Sequence, residues 1–193
     1  ATACVVTMSF AAPSPIDLIE ALYDQHGFLA YGEQVNQIEH ALQCASLAEQ
    51  SGAGDELIVS ALLHDVGHML HRDAAQALQA GQDDKHEMLG AKHLARWFGP
   101  GVCEPVALHV QAKRYLCARE PRYLEHLSAV SRRSLALQGG SMSDAQALDF
   151  EALPYAGDAV RLRRWDDEGK QPAARTPTLA HYLGIAQRCV RTR

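Results

Sequence analysis

The chain has no long apolar run, no paired-cysteine motif and no block of basic residues, and each absence removes a class of protein. None of its apolar stretches approaches the roughly 20 residues that span a bilayer. The N-terminus lacks a basic segment followed by an apolar one, so neither membrane insertion nor secretion is expected. The five cysteines, Cys4, Cys44, Cys103, Cys117 and Cys189, are odd in number and scattered without a CxxC, which fits reduced thiols in a cytoplasmic protein better than a disulfide framework. No cluster of Lys and Arg exceeds two consecutive residues and the net charge is −5, so a nucleic acid or an anionic membrane has no electrostatic footprint to meet. Repeats, low-complexity tracts and the alternating pattern of a sheet strand are missing as well. What remains is a protein whose expected partner is a small molecule, with no obligate protein partner indicated.

What is present is helical punctuation. The 193 residues, 47% of them hydrophobic, suffice for one core without staples. Residues 1–13 are set aside as an N-terminal extension, with Ala1–Thr7 read as vector-derived or as an alternative start before Met8, and 14–193 are read as one all-α bundle. Ser14-Pro15 opens a helix that Gly27 closes. A second is expected over 34–50, and a third from Asp55 to His64-Asp65, stopped by Gly67 and apolar on several sides, hence central. Others are expected at 85–98, 102–117, 121–137, 143–151, 155–168 and 177–190, with loops at 76–85 and 138–143.

Ten histidines set the chemistry by their positions. His64-Asp65 ends the most hydrophobic helix, where a carboxylate is costly to bury unless it is paired or bound to a cation. A carboxylate has two oxygens and can bridge two ions. His40, His86 and His109 each stand in an apolar or helix-opening context, and Asp166 follows Trp165, so several helices offer one imidazole or carboxylate apiece. Imidazole and carboxylate without thiolate suit iron or manganese better than a structural zinc site. Spacing adds a second property. His64 and His68 are four apart, His109 and Lys113 four, Arg163 and Asp166 three, so each ligand candidate shares a helix face with a cationic group. Metals beside positive charge suit an oxyanion such as a phosphate or phosphonate.

These residues resemble a known family. His40, His64-Asp65, His86, His109 and Asp166 follow the pattern of the HD-domain superfamily, and in particular its mixed-valent di-iron oxygenases, which include myo-inositol oxygenase and the PhnZ-type phosphonate oxygenases. The strings Tyr31-Gly-Glu33, Gln37-Ile-Glu39-His40-Ala-Leu-Gln43, Ala61-Leu-Leu-His64-Asp65-Val-Gly67-His68, His109-Val-Gln-Ala-Lys113-Arg-Tyr115-Leu-Cys117 and Leu162-Arg163-Arg164-Trp165-Asp166-Asp167 are similar to the phosphonate enzymes, from about residue 30 to 170.

The resemblance implies two iron ions held by His40, His64, His86, His109, Asp166 and a bridging Asp65, with O2 as co-substrate. It implies that His68, Lys113 and Arg163 hold the phosphonate oxygens, with Ser131 an extra donor, and that Asp65, His68 and Lys113 are catalytic. Tyr31 and Glu33 match a gating segment that contacts a substrate amine, although the family tyrosine is expected where Ala30 stands. Asp167 is the alternative to Asp166 as a ligand. The implied reaction is oxidative cleavage of the carbon–phosphorus bond of a small 1-hydroxyphosphonate bearing an amine, giving phosphate and glycine or glycine betaine. The rival is a metal-dependent phosphohydrolase acting on a nucleotide or phosphate ester. Glu39 and Glu87, each beside a ligand candidate, are candidates for orienting metal-bound imidazoles.

Overall fold

The computed structural model describes residues 12–31, 34–70 and 83–192, for Tyr31 the backbone alone. The chain folds as α1 (Pro15–His26), a two-residue hairpin β1 (Ala30–Tyr31) and β2 (Val35–Asn36), α2 (Gln37–Gln50), α3 (Asp55–Leu63), α4 (Val66–Leu70), α5 (His86–Leu94), α6 (Pro100–Arg119), α7 (Tyr123–His126), α8 (Ala129–Leu137), α9 (Asp144–Glu151), α10 (Ala156–Glu168) and α11 (Leu179–Cys189). The all-α expectation holds. Among the described residues no helix is long and apolar enough to cross a membrane.

Local chemistry sets most boundaries. Ser14 caps α1 through the amide of Asp17, whose carboxylate returns the bond, and Pro15 occupies a first-turn position where no amide hydrogen is needed. Asn36 and Glu39 form the same reciprocal box on α2, so Glu39 serves the cap. The helix expected from 34 therefore starts later, after strand residues in which Ala30 pairs with Asn36 and Tyr31 with Val35. The helix expected over 121–137 is two: Leu127 is extended (ψ 138°), and Ser128 caps α8 through the amide of Ser131. The helix expected over 85–98 ends at Leu94, and Phe98 pairs with Val190 instead.

Every residue of α3 from Leu57 to Leu63 is buried, and the helix packs against α2, α6, α10 and α11. Tyr23 of α1 donates its hydroxyl hydrogen to the Leu62 carbonyl at 2.5 Å, tying α1 to the end of α3. Helix α6 lies along α10, α5 and α3. Gly67 does not stop α3 as expected. It lies inside α4, and a Cβ there would stand 2.0 Å from the His86 carbonyl oxygen, so glycine permits the close approach of α4 to the start of α5.

Candidate metal centre

Four imidazoles reach one point from four directions. His40 comes from the middle of α2, His64 ends α3, His86 opens α5 and His109 lies mid-way along α6; all four are buried. Asp65 sits in the turn between α3 and α4, and Asp166 arrives from α10. The Nε2 atoms of His40 and His64 are 3.2 Å apart, as are those of His86 and His109. Between the pairs lies Asp65: its Oδ2 is 3.3 Å from His64 Nε2 and 3.7 Å from His40 Nε2, and its Oδ1 is 3.4 Å from His86 Nε2 and 3.6 Å from His109 Nε2. Asp166 Oδ1 joins the first pair, 3.5 Å from His40 Nε2.

The far side of each ring fixes its tautomer. The Nδ1 atoms of His40, His64 and His109 face the carbonyls of Gly169 (2.9 Å), Ala61 (3.0 Å) and Val106 (2.7 Å), and that of His86 faces the Asp84 carboxylate (2.8 Å). Carbonyls and carboxylates only accept, so each Nδ1 carries the hydrogen and each neutral Nε2 presents a lone pair. Two lone pairs aimed at each other across 3.2 Å repel unless a cation lies with them. The donor set therefore fits metal binding, with imidazole nitrogens gathered about both oxygens of Asp65.

Without metal, a proton fills part of this role. Burial opposes charge on His64, but Asp65 outweighs it and raises the imidazole to about 9. Burial and the neighbouring His64 push His40 down to about 4, and burial with His86 and His64 pushes His109 down. Burial also opposes ionisation of Asp65 and Asp166, yet His64 in the first case and Arg163 in the second hold both carboxyls well below their usual range. Cys44 packs over the His40 ring and donates to the Trp165 carbonyl at 3.5 Å. Gly169 lets the chain pass this sulfur, since a Cβ there would lie 2.7 Å from it, and so delivers its carbonyl to His40.

Positive groups border the cluster. Lys113, one turn beyond His109 on α6, is buried and donates to the Ser134 hydroxyl at 2.9 Å; burial first, then Arg163, lowers its ammonium to about 8. Arg163 is buried too. Its NH1 donates to Asp166 at 2.6 Å, its NH2 to Asp167, and its Nε to the Tyr123 hydroxyl at 3.1 Å. Tyr123 in turn donates to Asp167. Asp166 thus turns one oxygen to His40 and the other to Arg163, whereas Asp167 faces Arg163 and Tyr123. Lys170, on the loop after α10, stands 3.4 Å from Asp166 Oδ1.

His68 Nε2 lies 3.9 Å from Asp65 Oδ1, and the His68 ring stacks on that of His86 with centroids 3.8 Å apart. Ser131 is buried in the first turn of α8, but the hydroxyl that Lys113 meets belongs to Ser134, one turn on. The gating expectation for Tyr31 and Glu33 falls on a side chain and a residue outside the described residues, as does most of the loop expected at 76–85. Sequence reasoning did not assign Asp84, Tyr123, Ser134 or Lys170. Asp84 alone had a signal, being an acid two residues before a ligand candidate.

Residues 38–140 match the HD domain family. Over 189 residues the chain is 43% identical to a hydroxymethylphosphonate dioxygenase of Gimesia maris, covering 96% of this chain and 93% of the relative. Over 176 residues it is 39% identical to the glycine-betaine-forming 1-hydroxy-2-(trimethylamino)ethylphosphonate dioxygenase of Leisingera caerulea, covering 91% and 90%. An uncharacterized protein of Acanthamoeba polyphaga mimivirus is 33% identical over 174 residues, covering 88% and 79%. A buried cluster of imidazoles and carboxylates that calls for cations, set in a chain so close to named dioxygenases along nearly its whole length, leads to one assignment: the protein is an enzyme of the HD-domain family, in its branch of PhnZ-type phosphonate oxygenases.

Proposed function

We propose that the chain holds two iron ions in this cluster and uses O2 to split the carbon–phosphorus bond of a small 1-hydroxyphosphonate bearing an amine, releasing inorganic phosphate and glycine or glycine betaine. The observation that carries the proposal is the pair of Nε2–Nε2 approaches at 3.2 Å, one on each side of a single carboxylate, beside buried cations. His40, His64 and Asp166 would hold one ion, His86 and His109 the other, and Asp65 would bridge them. Bound iron supplies the redox chemistry with O2.

The chain's own contribution is placement and charge. Lys113, Arg163 and His68, with Ser131 as a further donor, would receive the phosphonate oxygens and fix the hydroxyl-bearing carbon against the cluster. Lys113 is held for this by Ser134, and Arg163 by Asp166, Asp167 and Tyr123, so neither cation has to be ordered when substrate arrives. Tyr31 and Glu33 would meet the amine. The relative named for a trimethylamino substrate supports that reading. A second reading, hydroxymethylphosphonate itself, is favoured by the relative with 43% identity, whose named substrate carries no amine.

The test is phosphate release by the iron-loaded enzyme from three compounds: hydroxymethylphosphonate, 2-amino-1-hydroxyethylphosphonate and its trimethylammonio analogue. Release is expected in air and not under argon, with an amine-bearing compound preferred. Preference for hydroxymethylphosphonate selects the second reading, and release without O2 defeats both in favour of hydrolysis.

A further inference from the structure

We infer that Asp84 is a positioning residue that clamps a metal-binding imidazole and a substrate-binding imidazole into one unit. The inference rests on the roles proposed above for His86 and His68. Asp84 Oδ1 accepts from His86 Nδ1 and Oδ2 accepts from His68 Nδ1, both at 2.8 Å, while the two rings stack at a 19° interplanar angle. One carboxylate thus uses each oxygen on a different imidazole. Because it only accepts, both Nδ1 atoms carry hydrogen, and both Nε2 atoms are turned toward Asp65, that of His86 at 3.4 Å and that of His68 at 3.9 Å.

The backbone is bent to allow this. Lys85, between Asp84 and His86, adopts the left-handed conformation (φ 48°, ψ 37°) as the N-cap of α5 without a side-chain cap bond. A lysine gains nothing locally from that conformation, which costs about 1 kcal/mol or more. What it achieves is to fold the Asp84 carboxylate back over the first residue of the helix, where it also lies 3.4 Å from the His86 amide nitrogen. Gly67 lets α4, which bears His68, come against the same turn. Three departures from easy geometry therefore converge on one arrangement: a strained lysine, a backbone contact open only to glycine, and a carboxylate shared by two rings.

The clamp makes metal affinity and substrate affinity depend on the same side chain. Asp84→Ala is expected to lower the affinity for Mn²⁺, the probe in a chelator-competition titration, by about 10–100-fold. At saturating iron it is also expected to raise KM for the best phosphonate of the panel more than it lowers kcat. Asp84→Asn keeps size and one acceptor oxygen but points an amide donor at the second ring, so it too is expected to lose part of each property; this variant carries the test should the alanine fold poorly. A double-mutant cycle with His68→Ala separates the roles. In the His68→Ala background, Asp84→Ala is expected to leave KM unchanged while still weakening Mn²⁺ binding. Additive KM effects, or an Asp84→Ala enzyme with native Mn²⁺ affinity, overturn the clamp. A His68→Ala enzyme with native KM removes His68 from the substrate site, and the shared role of Asp84 fails with that reading rather than by itself.

Discussion

Lys113 is a charge placed where charge is expensive. Burial lowers its ammonium from the ordinary 10.5 to about 8, so its protonated fraction falls as pH climbs through 8. If the ammonium receives the phosphonate, KM should be flat below about pH 7.5 and rise above pH 8. Lys113→Arg, which stays charged, should remove that rise, and Lys113→Ala should lift KM about 10–100-fold at neutral pH, as expected for a lost charge-assisted hydrogen bond. Steady-state kinetics across pH 6.5–9 check all three, and a pH-independent KM in the native enzyme would take Lys113 out of the cradle. The adjacent aspartates part company in the same way. Asp166→Ala should lower the iron bound per chain, because its Oδ1 faces His40, whereas Asp167→Ala should keep the iron but raise KM by freeing Arg163 and Tyr123. Metal analysis of the two purified variants distinguishes them. The sequence showed Asp166 and Arg163 on one face through their spacing. That the next aspartate pins the same guanidinium depends on Tyr123, which comes from α7, and no spacing within α10 reveals it.

At the scale of elements, helices were legible where their caps are local, as at Ser14 and Ser143, each bonded within three residues of itself. They were misread where a distant partner decides. Gly67 looked like a stop because glycine commonly ends helices, yet its reason lies in the backbone of His86, far from it in sequence. Two glycines make this testable. Gly67→Ala should destabilise the fold by about 1–3 kcal/mol, the range for overpacking, and should also weaken metal binding, because the backbone that must yield carries His86. Gly184, inside α11 with open space where a Cβ would be, should accept alanine with a gain of about 0.5–1 kcal/mol and no change in metal binding. Urea denaturation and metal analysis of both variants provide the check. The division between α7 and α8 was missed for a related reason: Ser128 is a capping residue set within a helix-compatible run, and only the extended Leu127 before it shows that it is used as one.

For the whole molecule, the cluster joins residues from position 40 to position 166, so metal binding and folding are coupled. The ligand types could be read from the sequence, since imidazoles and acids in apolar surroundings need a cation; their pairing about Asp65 could not, because it is set by how α2, α3, α5, α6 and α10 pack. The packing also makes stability depend on pH. In the metal-free chain the His64 proton is bound more tightly folded than unfolded, with the value raised from 6.5 to about 9. Its stabilisation is complete below about pH 6.5 and is lost as pH rises through 9. Lys113 opposes this only above about pH 8, where deprotonation in the folded state relieves a buried charge, and the lowered values of His40 and His109 act below pH 6.5. Between pH 6.5 and 8 the metal-free protein should therefore lose about 2 kcal/mol through His64, and His86, which burial lowers but the Asp84 carboxylate holds above its ordinary value, adds to the loss. A metal held by His64 would take the place of its proton, so the loaded protein should lack that slope and stand above the metal-free form by about 3 kcal/mol at a hundredfold excess over Kd. Denaturation at pH 6.5 and 8, with Mn²⁺ and with chelator, measures both quantities. Equal pH slopes in the two states would mean that metal and proton do not compete for His64, and that the imidazole lies outside the metal's reach.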